Sequence, residues 1–118
     1  MAIKVHYDEE DDIFTVYNDE HKPSETIEFS EYLNFDINKK KGLVGIEIFY
    51  ASEFFSALNN LITKRILESA KDITVECNNY RNNWFISLIF DYEGHKLKVQ
   101  MPPLRKSDYT SPLIASCN

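Results

Sequence analysis

Hydrophobic and polar residues alternate with a period of two over most of this chain, a pattern typical of β-strands with one buried face. Such runs cover residues 3–7, 13–17, 33–37 and 44–48 in the first half, and residues 73–77 and 97–101 in the second. A polar loop that contains Pro23 separates the second run from the third. The run 84–92 is apolar on both faces, which predicts a strand in the centre of a sheet.

The period changes after residue 50. Apolar residues then recur at helical spacing, at Ala51, Phe54, Phe55, Leu58, Leu61, Ile62 and Ile66. This stripe predicts one long amphipathic helix with Ser52 as its N-cap, and Asn59 and Asn60 mark the place where it is open to interruption. Pro102 and Pro103 are expected to end the sheet, since proline cannot donate a hydrogen bond to a strand ladder.

Together these elements predict an α+β fold, in which two antiparallel β-meanders are joined by and packed on one long amphipathic helix. The length of 118 residues corresponds to one domain. We place this single domain at residues 1–104, with the second meander at 72–101. Residues 105–118 are expected to form a C-terminal arm.

Composition supports a packed core, and charge indicates a class of partner. Hydrophobic residues make up 43% of the chain and the net charge is −6. Residues 1–60 contain five basic and 13 acidic side chains, whereas residues 61–118 contain eight and six. An acidic first half favours association with a cationic protein over nucleic acid or an anionic membrane surface.

The cysteines and the N-terminus bear on the compartment. Cys77 and Cys117 have no short spacing between them, so the sequence predicts neither a zinc site nor a disulfide framework. Cys77 alternates with Ile73 and Val75 and is expected to be a small core residue. The first residues lack the features of a signal peptide, and no apolar stretch approaches the length of a membrane span. A cytoplasmic protein fits best.

Several short motifs resemble a widespread family of short prokaryotic domains of unknown function. They are a strand that ends in Tyr7-Asp8, an acidic turn, Phe35-Asp36, and Gly45-Ile46-Glu47-Ile48 followed by Ala51-Ser52. The resemblance covers residues 3–58. It implies a fold and an accessory role, sometimes suspected to be that of an antitoxin-like partner of small toxin proteins. It carries over no catalytic residues.

The acidic turn is the most distinctive charged feature. Alternate carboxylates at Asp8, Glu10 and Asp12 suit a hard cation, but Ile13 stands where a calcium-binding loop needs glycine. We therefore interpret residues 8–12 as a solvated hairpin turn, with no metal site. Gly42 and Gly45 imitate the glycine-flanked clamp of an RNA-binding domain, and we interpret them as a turn and a close approach within the sheet.

Enzyme hypotheses find little support in the sequence. His6, His21 and His95 are far apart and none has a metal-binding spacing. A pairing of His95 with Cys77 needs an exposed thiol of lowered pKa, which a core position does not provide. No nucleophile elbow, phosphate-binding loop or dinucleotide fingerprint is present in the sequence. We expect a protein without enzymatic activity or cofactor.

The leading hypothesis is a small regulatory module that binds a basic protein partner. The predicted contact residues are Asp8, Glu9, Glu10, Asp11, Asp12, Asp19 and Glu20, with Glu25, Glu28 and Glu31 as neighbouring acids. The alternative is a weak single-stranded nucleic-acid binder that uses Arg81, Lys96, Lys98, Arg105 and Lys106. A third hypothesis is a metal-dependent hydrolase at the acidic turn. A homodimer is also expected, because short sheets leave edges that pair readily.

Overall fold

The computed structural model describes residues 3–71 and 73–105. In the first half of this part of the chain the elements are β1 (Ile3–Asp8), β2 (Ile13–Asn18), β3 (Glu25–Glu28), β4 (Leu33–Asn38), β5 (Gly42–Ile48) and α1 (Ala51–Leu58). In the second half they are α2 (Lys64–Ser69), β6 (Ile73–Tyr80), β7 (Asn83–Tyr92), β8 (His95–Gln100) and β9 (Leu104–Arg105). Of the expected arm at residues 105–118, Arg105 belongs to β9 and the rest lies outside the described residues.

The first sheet contains five antiparallel strands in the order β1-β2-β5-β4-β3. Strand β5 lies in the centre and pairs with both β2 and β4. The chain therefore leaves β2, crosses to the far edge, and returns inward through β3, β4 and β5. This is a Greek-key arrangement instead of the expected meander. The crossover places β3 at one edge of the sheet and β1 at the other.

Side-chain hydrogen bonds shape the turns of this sheet. After β1, the Asp8 carboxylate accepts hydrogen bonds from the amides of Glu10 and Asp11, each at 3.1 Å. After β4, the Asn38 side chain accepts from the amide of Lys40 at 2.8 Å, and Gly42 has a φ of 81°. Asp and Asn favour such turns because their side chains replace a missing main-chain acceptor.

The second sheet is a meander with an added short strand. Its order is β6-β7-β8, and β9 also pairs with β7 at Asn83 and Trp84. Strand β7 is central, as its apolar sequence predicts. The turns at 81–82 and 93–94 are each two residues long, and Arg81, Glu93 and Gly94 have positive φ. The expectation that Pro102 and Pro103 end the sheet is wrong, because β9 follows them.

The helical region corrects the predicted fold class. The structure is mostly β-sheet, with two sheets and two short helices, and it has no single long amphipathic helix among the described residues. Leu58 and Leu61, which the helical stripe includes, are 43% and 61% exposed. The apolar stripe therefore predicts burial correctly at Phe55, Ile62 and Ile66 and wrongly at Leu58 and Leu61.

Local hydrogen bonds explain why the helix divides. Asn59 ends α1 with an extended backbone, and its side chain accepts from the amide of Leu61 at 3.0 Å and donates to the carbonyl of Lys98 at 3.3 Å. Thr63 then caps α2 by accepting from the amide of Ile66 at 3.4 Å. Asn and Thr side chains compete with helical hydrogen bonds in this way and favour helix ends.

One hydrophobic core joins both sheets and both helices. At its centre Phe14 of β2, Phe55 of α1 and Phe90 of β7 are in mutual contact, with ring centroids 5.3–5.7 Å apart. Phe55 meets each of the other two rings nearly edge to face. Such ring pairs stabilise by about 0.5–1.5 kcal/mol beyond the area they bury. The two sheets are therefore expected to unfold together.

This contact can be tested with Phe55→Leu. The variant keeps an apolar side chain but loses both ring contacts, so the free energy of unfolding should fall by about 1–3 kcal/mol. Urea unfolding followed by circular dichroism and by tryptophan fluorescence checks the result. The two probes should report one shared transition in the wild type and in the variant. Separate transitions would contradict a common core.

Candidate functional site

The side chain of Asp12 ties the β1–β2 turn to the first turn of α1. Its Oδ1 accepts a hydrogen bond from the Tyr7 hydroxyl at 2.5 Å and another from the amide of Ser52 at 3.1 Å. Its Oδ2 accepts from the Ser52 hydroxyl at 2.7 Å, and its main-chain carbonyl accepts from the amide of Ala51 at 2.9 Å. The first amides of a helix need acceptors from outside the helix. Asp12 provides them from 40 residues away.

Ser52 therefore does not cap the helix as the sequence predicts. The N-cap position is Tyr50, whose side chain makes no capping hydrogen bond. Ser52 instead lies inside the helix and donates to Asp12. An ionised carboxylate at a helix N-terminus is also favoured by the helix dipole.

Opposing effects set the pKa of Asp12. Burial alone would raise it, but the hydrogen bonds from Tyr7 and Ser52 and the nearby charge of Lys64 outweigh burial and lower the pKa below its ordinary value of 3.8. Burial and the hydrogen bond to Asp12 raise the pKa of Tyr7, so the phenol keeps its proton and keeps donating. Asp12 and Asp8 thus serve the fold, whereas Glu9, Glu10 and Asp11 are exposed.

An open groove lies beside this connection, at one end of the first sheet. Three acidic residues line it, Asp11 of the acidic turn, Glu28 of β3 and Glu31 of the β3–β4 turn, and so do Phe49 and Tyr50. We call these five residues the acidic–aromatic groove. Within residues 3–71 and 73–105, the three carboxylates accept no hydrogen bond and form no ion pair.

Tyr50 is held in the groove by an unusual backbone conformation. Its φ of 52° and ψ of 46° are left-handed, which costs a residue other than glycine about 1–2 kcal/mol. Hydrogen bonds fix both of its neighbours, from the amide of Phe49 to the carbonyl of Tyr32 at 2.8 Å and from the amide of Ala51 to Asp12. The Tyr50 ring packs edge-on against Tyr32 and is 57% exposed.

The chemistry of the groove suits a cation. Carboxylates bind Lys and Arg side chains by charge-assisted hydrogen bonds, and aromatic faces attract the same groups. Its carboxylates come from three segments of the chain. The crossover from β2 to β3 brings Glu28 and Glu31 beside Asp11. Sequence reasoning identified the acids but missed Tyr50, whose only signal was its place just before the helix.

The other predicted acids lie elsewhere. Asp19 and Glu20 follow β2, at the end opposite the acidic turn and about 17 Å from it at roughly 3.4 Å per residue. Asp19 forms an ion pair with Lys4 at 3.5 Å. The structure thus brings Asp8–Asp12 together in one turn, and it does not bring Asp19 and Glu20 to them.

A second pair of carboxylates faces outward from the middle of the first sheet. Asp36 of β4 lies opposite Gly45 of β5 and accepts a hydrogen bond from the Thr26 hydroxyl at 2.7 Å. A Cβ atom at Gly45 would lie 3.0 Å from the Asp36 carboxylate, which explains why glycine suits this position. Glu47 lies two residues further along β5 and is half-buried. Burial raises its pKa, and the negative charge of Asp36 raises it further.

The basic residues of the alternative hypothesis do not form one unpaired cluster in the described structure. Lys96 pairs with Asp91 at 3.6 Å and Lys98 pairs with Glu76 at 3.7 Å. Arg81 lies in the β6–β7 turn with its guanidinium 5.2 Å from the Tyr80 ring centroid. Arg105 belongs to β9, and Lys106 lies outside the described residues.

Cys77 is partly buried and packs against the core, as expected of a small apolar residue, and its sulfur is disulfide-bonded. The chain's other cysteine, Cys117, lies outside the described residues.

The described residues contain neither a metal-binding cluster nor a membrane-spanning helix. No three His, Cys, Asp or Glu side chains there are grouped so that they could hold a metal ion. No helix in that part of the chain is long and apolar enough to cross a membrane.

Comparison with known proteins agrees with the resemblance over part of the chain. Residues 4–52 match the profile of a family described as a protein of unknown function, DUF2283. This segment spans β1 to the start of α1 and includes Asp12, Glu28, Glu31, Asp36 and Tyr50. No curated protein and no solved structure gives a significant match to the chain.

Substitution of Asp12 should reveal its role in stability. Asp12→Ala should lower the free energy of unfolding by about 1–2 kcal/mol, because it removes the side-chain acceptors that cap α1 and keeps only the main-chain one. Asp12→Asn keeps an acceptor for the Ser52 amide, so its free energy of unfolding should fall by less than that of Asp12→Ala. Since the folded-state pKa lies below the unfolded value, the ionised carboxylate stabilises above about pH 4, and this contribution is lost as the pH falls through the folded-state pKa.

Urea unfolding from pH 7 down to about pH 3 measures this effect. The difference in stability between wild type and Asp12→Asn should narrow in the acidic range. A difference that stays constant with pH would contradict the assignment. Ser52→Ala serves as a control, because it removes one hydrogen bond and keeps the titrating group.

Glu47 should show the opposite pH dependence. Its folded-state pKa lies above its ordinary value of 4.5, so the folded state binds the proton more tightly and ionisation lowers stability above about pH 4.5. Glu47→Gln should therefore raise the free energy of unfolding at pH 7 and have little effect at acidic pH. In an Asp36→Asn background the gain should shrink. A gain that is unaltered by Asp36→Asn would mean that burial alone raises the pKa.

Proposed function

We propose that this chain is a small non-enzymatic module that binds a basic protein partner through the acidic–aromatic groove. The observation that carries this proposal is the convergence of three unpaired carboxylates beside the exposed ring of Tyr50. An Arg or Lys side chain of the partner would enter the groove and meet both kinds of group. An accessory, antitoxin-like role is the form of this function that the family resemblance implies.

Energetics support a proposal of this kind. Unpaired surface carboxylates raise the rate at which a cationic protein associates, and they select among partners more than they add affinity. An aromatic side chain contributes a contact that salt screens less, because it does not depend on charge alone. The strained backbone at Tyr50 agrees with a binding role, since such strain clusters at functional sites.

The remaining predicted acids would act around this groove. Glu9 and Glu10 are exposed in the same turn as Asp11 and extend the negative surface next to it. Asp19 and Glu20 would contact only a partner large enough to reach the other end of the sheet. Nucleic-acid binding by the basic second half is still the alternative prediction, and the chain is still predicted to form a homodimer. Capture with and without nuclease tests the first prediction, and sizing columns test the second.

The decisive variant is Asp11→Asn, Glu28→Gln and Glu31→Gln together, which removes the charge of the groove and keeps its shape. A matched control, Asp91→Asn, Glu76→Gln and Glu93→Gln, removes the same charge from exposed positions in and beside the second sheet. Each tagged protein is used to capture proteins from native extract with and without nuclease, and basic proteins retained by the wild type are identified by mass spectrometry.

The purified partner is then measured for its association rate over a range of salt concentrations. The groove variant should associate about tenfold more slowly at low salt and show a weaker salt dependence, whereas the control should behave like the wild type. Equal rates for both variants would contradict the groove. Material that is retained only without nuclease would favour the nucleic-acid alternative, and self-association on sizing columns would support a homodimer.

A further inference from the structure

Strand β3 lies at the edge of the first sheet and is continuous with the acidic–aromatic groove. It pairs with β4 on one side, and no described strand covers its other side. Three of its four residues are exposed, Glu25, Thr26 and Glu28, while Ile27 packs on the core. An uncovered edge presents main-chain N–H and C=O groups that can pair with another extended segment.

The ladder shows which main-chain groups face outward. The amide of Phe29 donates to the carbonyl of Leu33 at 3.0 Å, so these two residues form a hydrogen-bonded pair. In an antiparallel ladder such pairs alternate, which makes Ile27 and Phe35 the next hydrogen-bonded pair. The N–H and C=O groups of Thr26 and Glu28 therefore point away from β4, toward the open edge.

Side chains at the same two residues lie on the outer face of the sheet. Thr26 reaches Asp36 there, and Glu28 lines the groove. A strand added about 4.8 Å from β3 would place its own outer-face side chains beside Glu28. A Lys or Arg at such a position lies next to the groove carboxylates.

The negative charge of β3 determines which kind of segment can pair with its open edge. Two β3 strands paired with each other would bring Glu25 and Glu28 of both copies close together, and like charges that face each other across strands are destabilising. The same carboxylates attract a segment in which basic residues alternate with apolar or β-branched ones. Such a segment is both extended and cationic.

We infer that the partner binds by adding a basic extended strand to the β3 edge, hydrogen-bonded to the main chain of Thr26 and Glu28, with a Lys or Arg side chain directed into the acidic–aromatic groove. This inference rests on the proposed function and gives the mode of binding. Main-chain hydrogen bonds would supply affinity, and the groove would supply preference for a cation.

Thr26→Pro tests the strand pairing directly. Proline removes the outward N–H but no hydrogen bond to β4, and it is tolerated on edge strands. Thr26→Ala is the matched control, because it also loses the hydroxyl bond to Asp36 and keeps the N–H. Thermal unfolding establishes that both variants fold. The probe is a capped octapeptide of alternating Lys and Val, compared with one of alternating Lys and Pro that has the same charge and cannot pair as a strand.

Titration at low salt should show that the Lys-Val peptide binds wild type and Thr26→Ala with similar affinity, and binds Thr26→Pro at least about tenfold more weakly. Hydrogen exchange should show the amides of Thr26 and Glu28 protected only when the peptide is bound, and that of Ile27 protected throughout.

Equal binding of the two peptides, or no effect of Thr26→Pro, would overturn strand addition and leave the groove as a cation site. Failure of the Lys-Val peptide to bind the wild type would also overturn it. The proposed function is tested separately, by the association of the purified partner with the groove variant. If the groove variant associates more slowly with the partner but either peptide result above is negative, strand addition fails and the proposed function stands.

Discussion

The fold depends on the hydrogen bonds that Asp12 makes across the chain. This residue ends the acidic turn, accepts from Tyr7 of its own hairpin, and caps α1 through Ala51 and Ser52. Because both ends of this connection are fixed, Tyr50 is held in a left-handed conformation with its ring exposed. The same connection positions Asp11 and Tyr50 on one groove. The cap of α1 and the placement of Tyr50 in the candidate site therefore both depend on Asp12.

The strands followed from the sequence wherever one face is buried. Period-two alternation located β1, β2, β4, β5, β6 and β8, and two-sided hydrophobicity located β7. Strand β3 was missed because three of its four residues are polar and only Ile27 packs on the core. The long helix was wrong for a different reason. Its apolar stripe continues past Asn59, but side-chain hydrogen bonds at Asn59 and Thr63 decide where helices end.

The candidate site could be predicted only in its parts. Asp11, Glu28 and Glu31 stand out as acids, but their convergence needs the crossover that carries the chain to β3. No local sequence pattern predicts that crossover. The structure does give a physical explanation for the motifs that resemble the family of unknown function. Gly45 leaves room for Asp36, and the Ala51-Ser52 pair supplies the amides and hydroxyl that Asp12 accepts.

The long-range cap also sets the order in which this chain can fold. Helix α1 has eight residues, fewer than an isolated helix needs for stability in water. Its cap comes from a hairpin turn 40 residues earlier, so closing that loop must precede the gain from capping. Helix α1 should therefore form after the β1–β2 hairpin and the return of β5, as a late event. A chain emerging from the ribosome would complete the five-stranded first sheet before it closes the groove that Tyr50 lines.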